Sequence, residues 1–224
     1  MKMLIALLAA ASAAPAQDEG YAVERSESIF AVVTHKAGLA SALAHNHLVY
    51  PRDYTAKIGK AGEGLETGRF SITFPTSNLV PDDPKAAVQW YPRLEALGIL
   101  DKPFTNLSEK DRAKVREAML SKEQLDAARF PSIRAEVTTI RVEATRQGTL
   151  DCTHVATIAL TLHGKTVERE VPVRIEVSDN TVKVEGTARF RFREFGIKPY
   201  SAMLGALKVE DAFDLYVHLV ARHK

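Results

Sequence analysis

A chain of 224 residues carrying 30 Lys and Arg against 28 Asp and Glu is close to neutral, which argues against nucleic acid or an anionic membrane as its main partner. Its single cysteine, Cys152, cannot form an internal disulfide, so the fold does not rest on such staples. The length and an ordinary composition suit one domain with a sizeable core.

Lys2, the apolar run Met3 to Leu8 and an alanine-rich stretch ending Ala14-Pro15-Ala16 have the three parts of a secretory signal peptide. The apolar run is too short to span a bilayer, so no stable membrane insertion is expected. No cysteine follows it to carry a lipid. Residues 1–16 are therefore expected to be removed near Gln17, leaving one exported domain over 17–224, periplasmic or secreted.

Tyr21 to His35 reads as strand, with Ile29, Ala31 and Val33 in one phase and Phe30 and Val32 in the other. Both phases are apolar, which suits a ribbon covered on both sides. Ala44-His-Asn-His47 leads into Leu48-Val49. A short strand at Tyr54 to Ile58 precedes a loop punctuated by Gly59, Gly62 and Gly64, and Phe70, Ile72 and Phe74 alternate after it. Prolines 75, 81, 84, 92 and 103 then break the pattern. Asp82-Asp83-Pro84 is turn chemistry, and a short helix interrupted near Pro92 fits Val88 to Leu100. Ser108 with Asp111 has the layout of a helix cap, followed by Val115, Ala118 and Met119 at helical spacing. Ser121 to Gln124 repeats the capping pattern, and Pro131 ends that second helix. The helical insert is thus placed at about 80–130.

Beyond it, Ile133, Ala135 and Val137 alternate, then Ile140 and Val142 alternate in the opposite phase, which predicts a bulge near Thr138 or Thr139. Ile158, Leu160 and Leu162 run to a Gly164 turn, and Val171 to Val177 run to an Asp179-Asn180 turn. Val182, Val184, Ala188, Phe190 and Phe192 form the apolar phase of the next strand, opposite Lys183, Glu185, Arg189 and Arg191. Phe213, Leu215, Val217 and Leu219 repeat the pattern after a broken connection. That is about eight strands, mostly joined by turns too short for parallel crossovers. The fold class is therefore all-β and antiparallel, either a sandwich or a barrel.

The string FGIKPYS (195–201), the G-x-L-K-V-x-D run at 205–211 and an alternating last strand resemble the C-terminal signature of the YceI-like family. Thr161-Leu-His-Gly-Lys-Thr166, the REAMLSKEQLDAARFP stretch (116–131), Ser77-x-Leu79 and Tyr21-x-Val with Ser28 extend the likeness over roughly 21–221. The family comprises secreted or periplasmic lipocalin-like barrels associated with polyisoprenoid lipids. The resemblance therefore implies a lipocalin-like β-barrel, and a polyisoprenoid or other amphiphilic small molecule as the partner. Pro81 to Leu107 is longer than in plainer members, and the His-x-His at 45–47 marks a separate branch.

Two sets of residues stand out as candidate sites. Phe70, Phe74, Leu160, Phe190, Phe192, Phe213 and Leu215 either fill the barrel or line a ligand cavity, and the resemblance favours the cavity. His45 and His47, two apart on one strand face, suit two ligands to a metal or haem, with His35, His154, His163 or His218 as third ligand. The alternative for the pair is a scaffolding role at the barrel rim. Arg189, Arg191 and Arg193 form a charged stripe, expected on the outer face. No nucleophile elbow, phosphate loop, HExxH or paired-carboxylate pattern is present, so no enzyme activity or resident cofactor is expected. The expected function is an exported carrier of an isoprenoid lipid or quinone-like ligand. The rivals are a metal- or haem-dependent redox accessory protein, and a solid barrel serving stress response or interaction. A homodimer stays open.

Overall fold

The computed structural model describes residues 21–38, 45–58, 70–178 and 180–223. The signal-peptide expectation, the Gly59–Gly64 loop and Asp179 of the Asx turn lie outside the described residues.

The alternating segments form strands. They are β1 (Tyr21–Val23), β2 (Ile29–Ala37), β3 (His47–Pro51), β4 (Thr55–Ile58), β5 (Phe70–Pro75), β6 (Leu79–Pro81), β7 (Ser132–Gln147), β8 (Leu150–Leu162), β9 (Lys165–Ser178), β10 (Thr181–Arg191), β11 (Ser201–Ala202) and β12 (Leu207–His223). Every ladder is antiparallel. The sheet runs β4-β5-β7-β8-β9-β10-β12-β2-β3-β6, with β1 and β11 beside β12. Side chains from β2, β5, β7, β8, β9, β10 and β12 border one shared void, so the sheet curls into a lipocalin-like barrel. Of the twelve described strands, β1, β6 and β11 span only two or three residues, too short to show alternation, which leaves nine against the roughly eight expected.

The phase change in β7 is a register shift between Val137 and Thr139, at the position the alternation predicted. Thr161 to Thr166 is a tight hairpin. His163 and Gly164 both have positive φ, 52° and 71°, the backbone of a two-residue turn that follows the strand twist. A Cβ at Gly164 would stand 2.6 Å from the Phe130 ring. The turn motif and the Phe130-Pro131 element are thus two halves of one contact.

The insert contains two helices, α1 (Pro84–Ala96) and α2 (Glu109–Leu120). The Asp83 carboxylate caps α1 by accepting from the backbone N–H of Lys85 and Ala86, and Ser108 caps α2. Pro92 sits inside α1 without ending it. The Val88 carbonyl, which loses its partner there, is on an exposed turn where water can reach it. The second short helix expected from Ser121 does not form. Ser121 is the extended C-terminal cap of α2, and turns through a left-handed Asp126 (φ 43°) carry Leu125 into the core.

α1 gives the barrel a second core on its outside. Leu94, Leu97, Ile99 and Leu100 pack against Ile29, Ala31, Val33, Leu48 and Tyr216. This is why both phases of β2 are apolar: Phe30 and Val32 face the lumen while the alternate residues face α1. Cys152 is a buried free thiol in this outer core, and burial raises its pKa.

Beneath α1 lies a buried charged network. The Glu185 carboxylate accepts from Arg93 Nε and Nη2, both at 2.6 Å, and from the Tyr216 hydroxyl at 2.8 Å. Beside it on the outer face, Arg189 grips Asp214 through two bonds of 2.9 and 2.8 Å, and His35 Nε2 lies 2.6 Å from the same carboxylate. Arg189 and the exposed Arg191 therefore lie outside the barrel, as the phase of β10 requires, and Arg193 is exposed beyond the strand's end.

Candidate ligand-binding site

The lumen holds two voids. The first, about 170 Å³, occupies the half of the barrel lined by Val182, Val184, Leu219, Ile72 and Phe70. The second, about 320 Å³, lies toward the opposite rim. It is bordered by strand-end residues such as Thr34, His47, Ile133 and Leu162, and is roofed by Val115, Ala118 and Met119 of α2. Val32, Val49, Phe74, Leu79, Leu160 and Leu215 line both, so the voids abut across one ring of side chains. Each far exceeds the ~10–15 Å³ that one water needs.

The walls follow from the strand period, which sends every second side chain inward. Of the seven residues read from the sequence as a cavity lining, six border a void. Phe70 borders the first, Phe192 and Phe213 the second, and Phe74, Leu160 and Leu215 both. Phe190 borders neither. It is fully buried against Phe195 and Phe213, with ring centroids 6.0 Å away in each case, and the Arg169 guanidinium stands 4.8 Å over its ring. The reason is local: after β10 the chain coils into a short 3-10 turn (Phe192–Phe195), and Phe195 folds back onto Phe190. Gly196, at φ 75°, ends that turn and places Ile197 in the wall of the second void.

His45 and His47 part company. His47 begins β3 and borders the second void, whereas His45 precedes the strand and borders neither. His47 Nδ1 lies 2.7 Å from Asp82 Oδ2, and the other carboxylate oxygen accepts from Leu48 N–H at 3.1 Å. Asp82 is buried, and from the sequence it read only as part of a turn. The available signal was its redundancy, since Asp83 alone caps α1. The residues considered as a third metal ligand are dispersed: His35 is bound to Asp214, His163 lies in the β8–β9 turn, and His218 lies under α1 beside Trp90. Among the described residues no three His, Cys, Asp or Glu gather closely enough to hold a metal ion.

This architecture is that of a hollow antiparallel barrel with an apolar lumen. The chain belongs to the YceI-like domain family, whose sequence model matches residues 46–221. The match begins after β2, so the likeness read at Tyr21 and Ser28 falls outside it. Among solved structures, BcnA of Burkholderia cenocepacia aligns over 89% of this chain and 99% of its own, with a TM-score of 0.57 and 15% identity. A polyisoprenoid binding domain from Saccharophagus degradans aligns over 92% of this chain and 99% of its own, with a TM-score of 0.52 and 10% identity. The YceI protein of Campylobacter jejuni aligns over 79% of this chain and 84% of its own, with a TM-score of 0.52 and 10% identity. At these identities the likeness speaks for the fold. No curated protein sequence matches the chain.

Proposed function

We propose that this protein is an exported carrier that holds a long apolar or amphiphilic molecule, of the isoprenoid-lipid or quinone-like class, inside its barrel. The observation that carries this reading is the pair of abutting voids. A solid barrel would fill that space with its own side chains. The first void, almost wholly apolar in its lining, offers water few partners, and the walls of both lack dispersion partners until an apolar guest supplies them. Burying a tail there yields about 25 cal/mol per Å² of apolar surface, before the cost of ordering it. The polyisoprenoid-binding domain of Saccharophagus degradans, which shares the fold, supports the choice of ligand class.

Organic extraction of protein purified from its own host is expected to release a near-stoichiometric amphiphile. Leu160 borders both voids, so Leu160→Trp is expected to lower the yield severalfold while the protein stays folded. An empty extract from wild-type protein would sink the carrier reading. Export rests on residues 1–16. N-terminal sequencing of the mature protein is expected to start at or close to Gln17, and a pool that retains Met1 would refute that part.

A further inference from the structure

The two voids differ in polarity. Polar residues at the first are confined to Tyr21, Glu136 and Thr187. The second is bordered by Thr34, His47, Lys114, Gln124 and Tyr200. Two of these are engaged elsewhere. The Gln124 amide donates to the carbonyls of Glu123 and Lys198, at 3.0 and 3.3 Å, and the Lys114 ammonium is 3.0 Å from Asp111. His47 is different, because among the described residues its side chain meets Asp82 through Nδ1 alone, which fixes the ring and leaves the opposite edge free of that contact.

Asp82 is 5% exposed and tied to the chain on three sides. Its N–H donates to the Leu48 carbonyl at 2.8 Å, its Oδ1 accepts from Leu48 N–H, and its Oδ2 faces His47 Nδ1. Its backbone is held in the left-handed region at φ 52°, a conformation unusual for a residue with a side chain. A carboxylate oxygen accepts, so the contact with Asp82 selects the imidazole tautomer that has its proton on Nδ1, and in that tautomer the lone pair is on Nε2. The Nε2–Cδ2 edge lies across the ring from Nδ1, away from Asp82. In that tautomer His47 is an oriented acceptor on the wall of the more polar of the two voids.

We propose that His47, oriented by Asp82, is a head-group site: its Nε2 accepts a hydrogen bond from a hydroxyl at the end of an apolar tail, alcoholic or phenolic, while the tail runs toward the first void. This rests on the carrier reading and assigns the ligand's polarity and direction. An acceptor on a mainly apolar wall discriminates between guests, because one lacking the donor cannot make that hydrogen bond.

The test uses the full-length mature protein and two matched pairs of probes, farnesol against farnesyl methyl ether and 4-farnesylphenol against its methyl ether. Titration calorimetry is expected to give about tenfold tighter binding of the hydroxyl member in at least one pair. The pair that shows the preference identifies the alcohol or the phenol as the source. His47→Phe, which keeps a ring but removes the acceptor, is expected to bring that ratio close to one. In wild-type protein, which needs no substitution, the ¹⁵N resonance of His47 Nε2 is expected to move on binding the hydroxyl probe and not on binding the ether. Equal affinities within both pairs, a ratio that survives His47→Phe, or an unmoved Nε2 resonance would overturn the head-group site while leaving the carrier intact. Failure of all four probes to bind would instead remove the carrier reading, and the site with it.

Discussion

Phe190→Ala is expected to destabilise the protein by about 3–5 kcal/mol, against about 0.5 kcal/mol or less for Arg191→Ala one residue on. The two side chains leave β10 on opposite faces. Phe190 is fully enclosed by Phe195, Phe213 and the Arg169 guanidinium, whereas Arg191 is exposed. Removing the ring leaves a hole walled by other rings and by β12, which stays paired with β10 there, so little can collapse into it. Phe192→Ala is expected to cost less than Phe190→Ala, because Phe192 borders a void that is already present. Urea denaturation of the three variants at one pH measures this. Equal losses at 190 and 191 would mean that the faces of β10 have been misassigned.

Glu185→Ala is expected to cost about 3 kcal/mol, the lower part of the range for breaking a buried ion pair, because Arg93 can still reach water. It strands the Tyr216 hydroxyl beneath α1. The pH dependence separates this from simple loss of packing. Burial pushes the Glu185 carboxyl up, but hydrogen bonds from Arg93 and Tyr216 and the Arg93 charge outweigh it and hold the group below the ordinary carboxylate range. Asp214 is likewise held low, its burial outweighed by His35 and Arg189. For both groups the unfolded chain binds its proton first as the pH drops. Their contribution is therefore complete above the unfolded value of about 4 and is lost as the pH falls through the lower folded values. His218 acts earlier with the same sign. Burial lowers its pKa, so the unfolded chain takes up that proton from about pH 6.5 downward and stability starts to fall there. Denaturation at pH 7 and at pH 3 should show the gap between wild type and Glu185→Gln narrowing at the acid end. A gap that stays constant would mean that Glu185 is not held as a carboxylate.

The sequence was most legible where one residue's surroundings lie on its own strand. Alternation from Ile133 to Val142 located the bulge in β7 because period and phase are local properties. The tight turn at His163-Gly164 is local for the same reason. Inward direction was also readable, which is why six of the seven wall residues border a void. The short helix expected at Ser121 failed because capping signals compete with tertiary pull, and there the burial of Leu125 decided the outcome.

By itself, then, the sequence determined an antiparallel all-β fold with an inward apolar phase, because the two-residue period sorts side chains before any strand has met its neighbour; that period left sandwich and barrel open, and only the family resemblance chose the barrel. It also determined the family, through motifs whose spacing is set within single turns. Tertiary structure alone decided which rings leave room and which close it: Phe190 and Phe192 share a phase in the sequence, but the strand ends between them, and Phe195 folds back onto Phe190. It alone placed α1 against the outside of β2 and β12, and joined Arg93 to Glu185 and His47 to Asp82. Those partners are 92 and 35 residues apart, and contacts across such distances are chosen by how the sheet curls and where the insert lands, which no local period records.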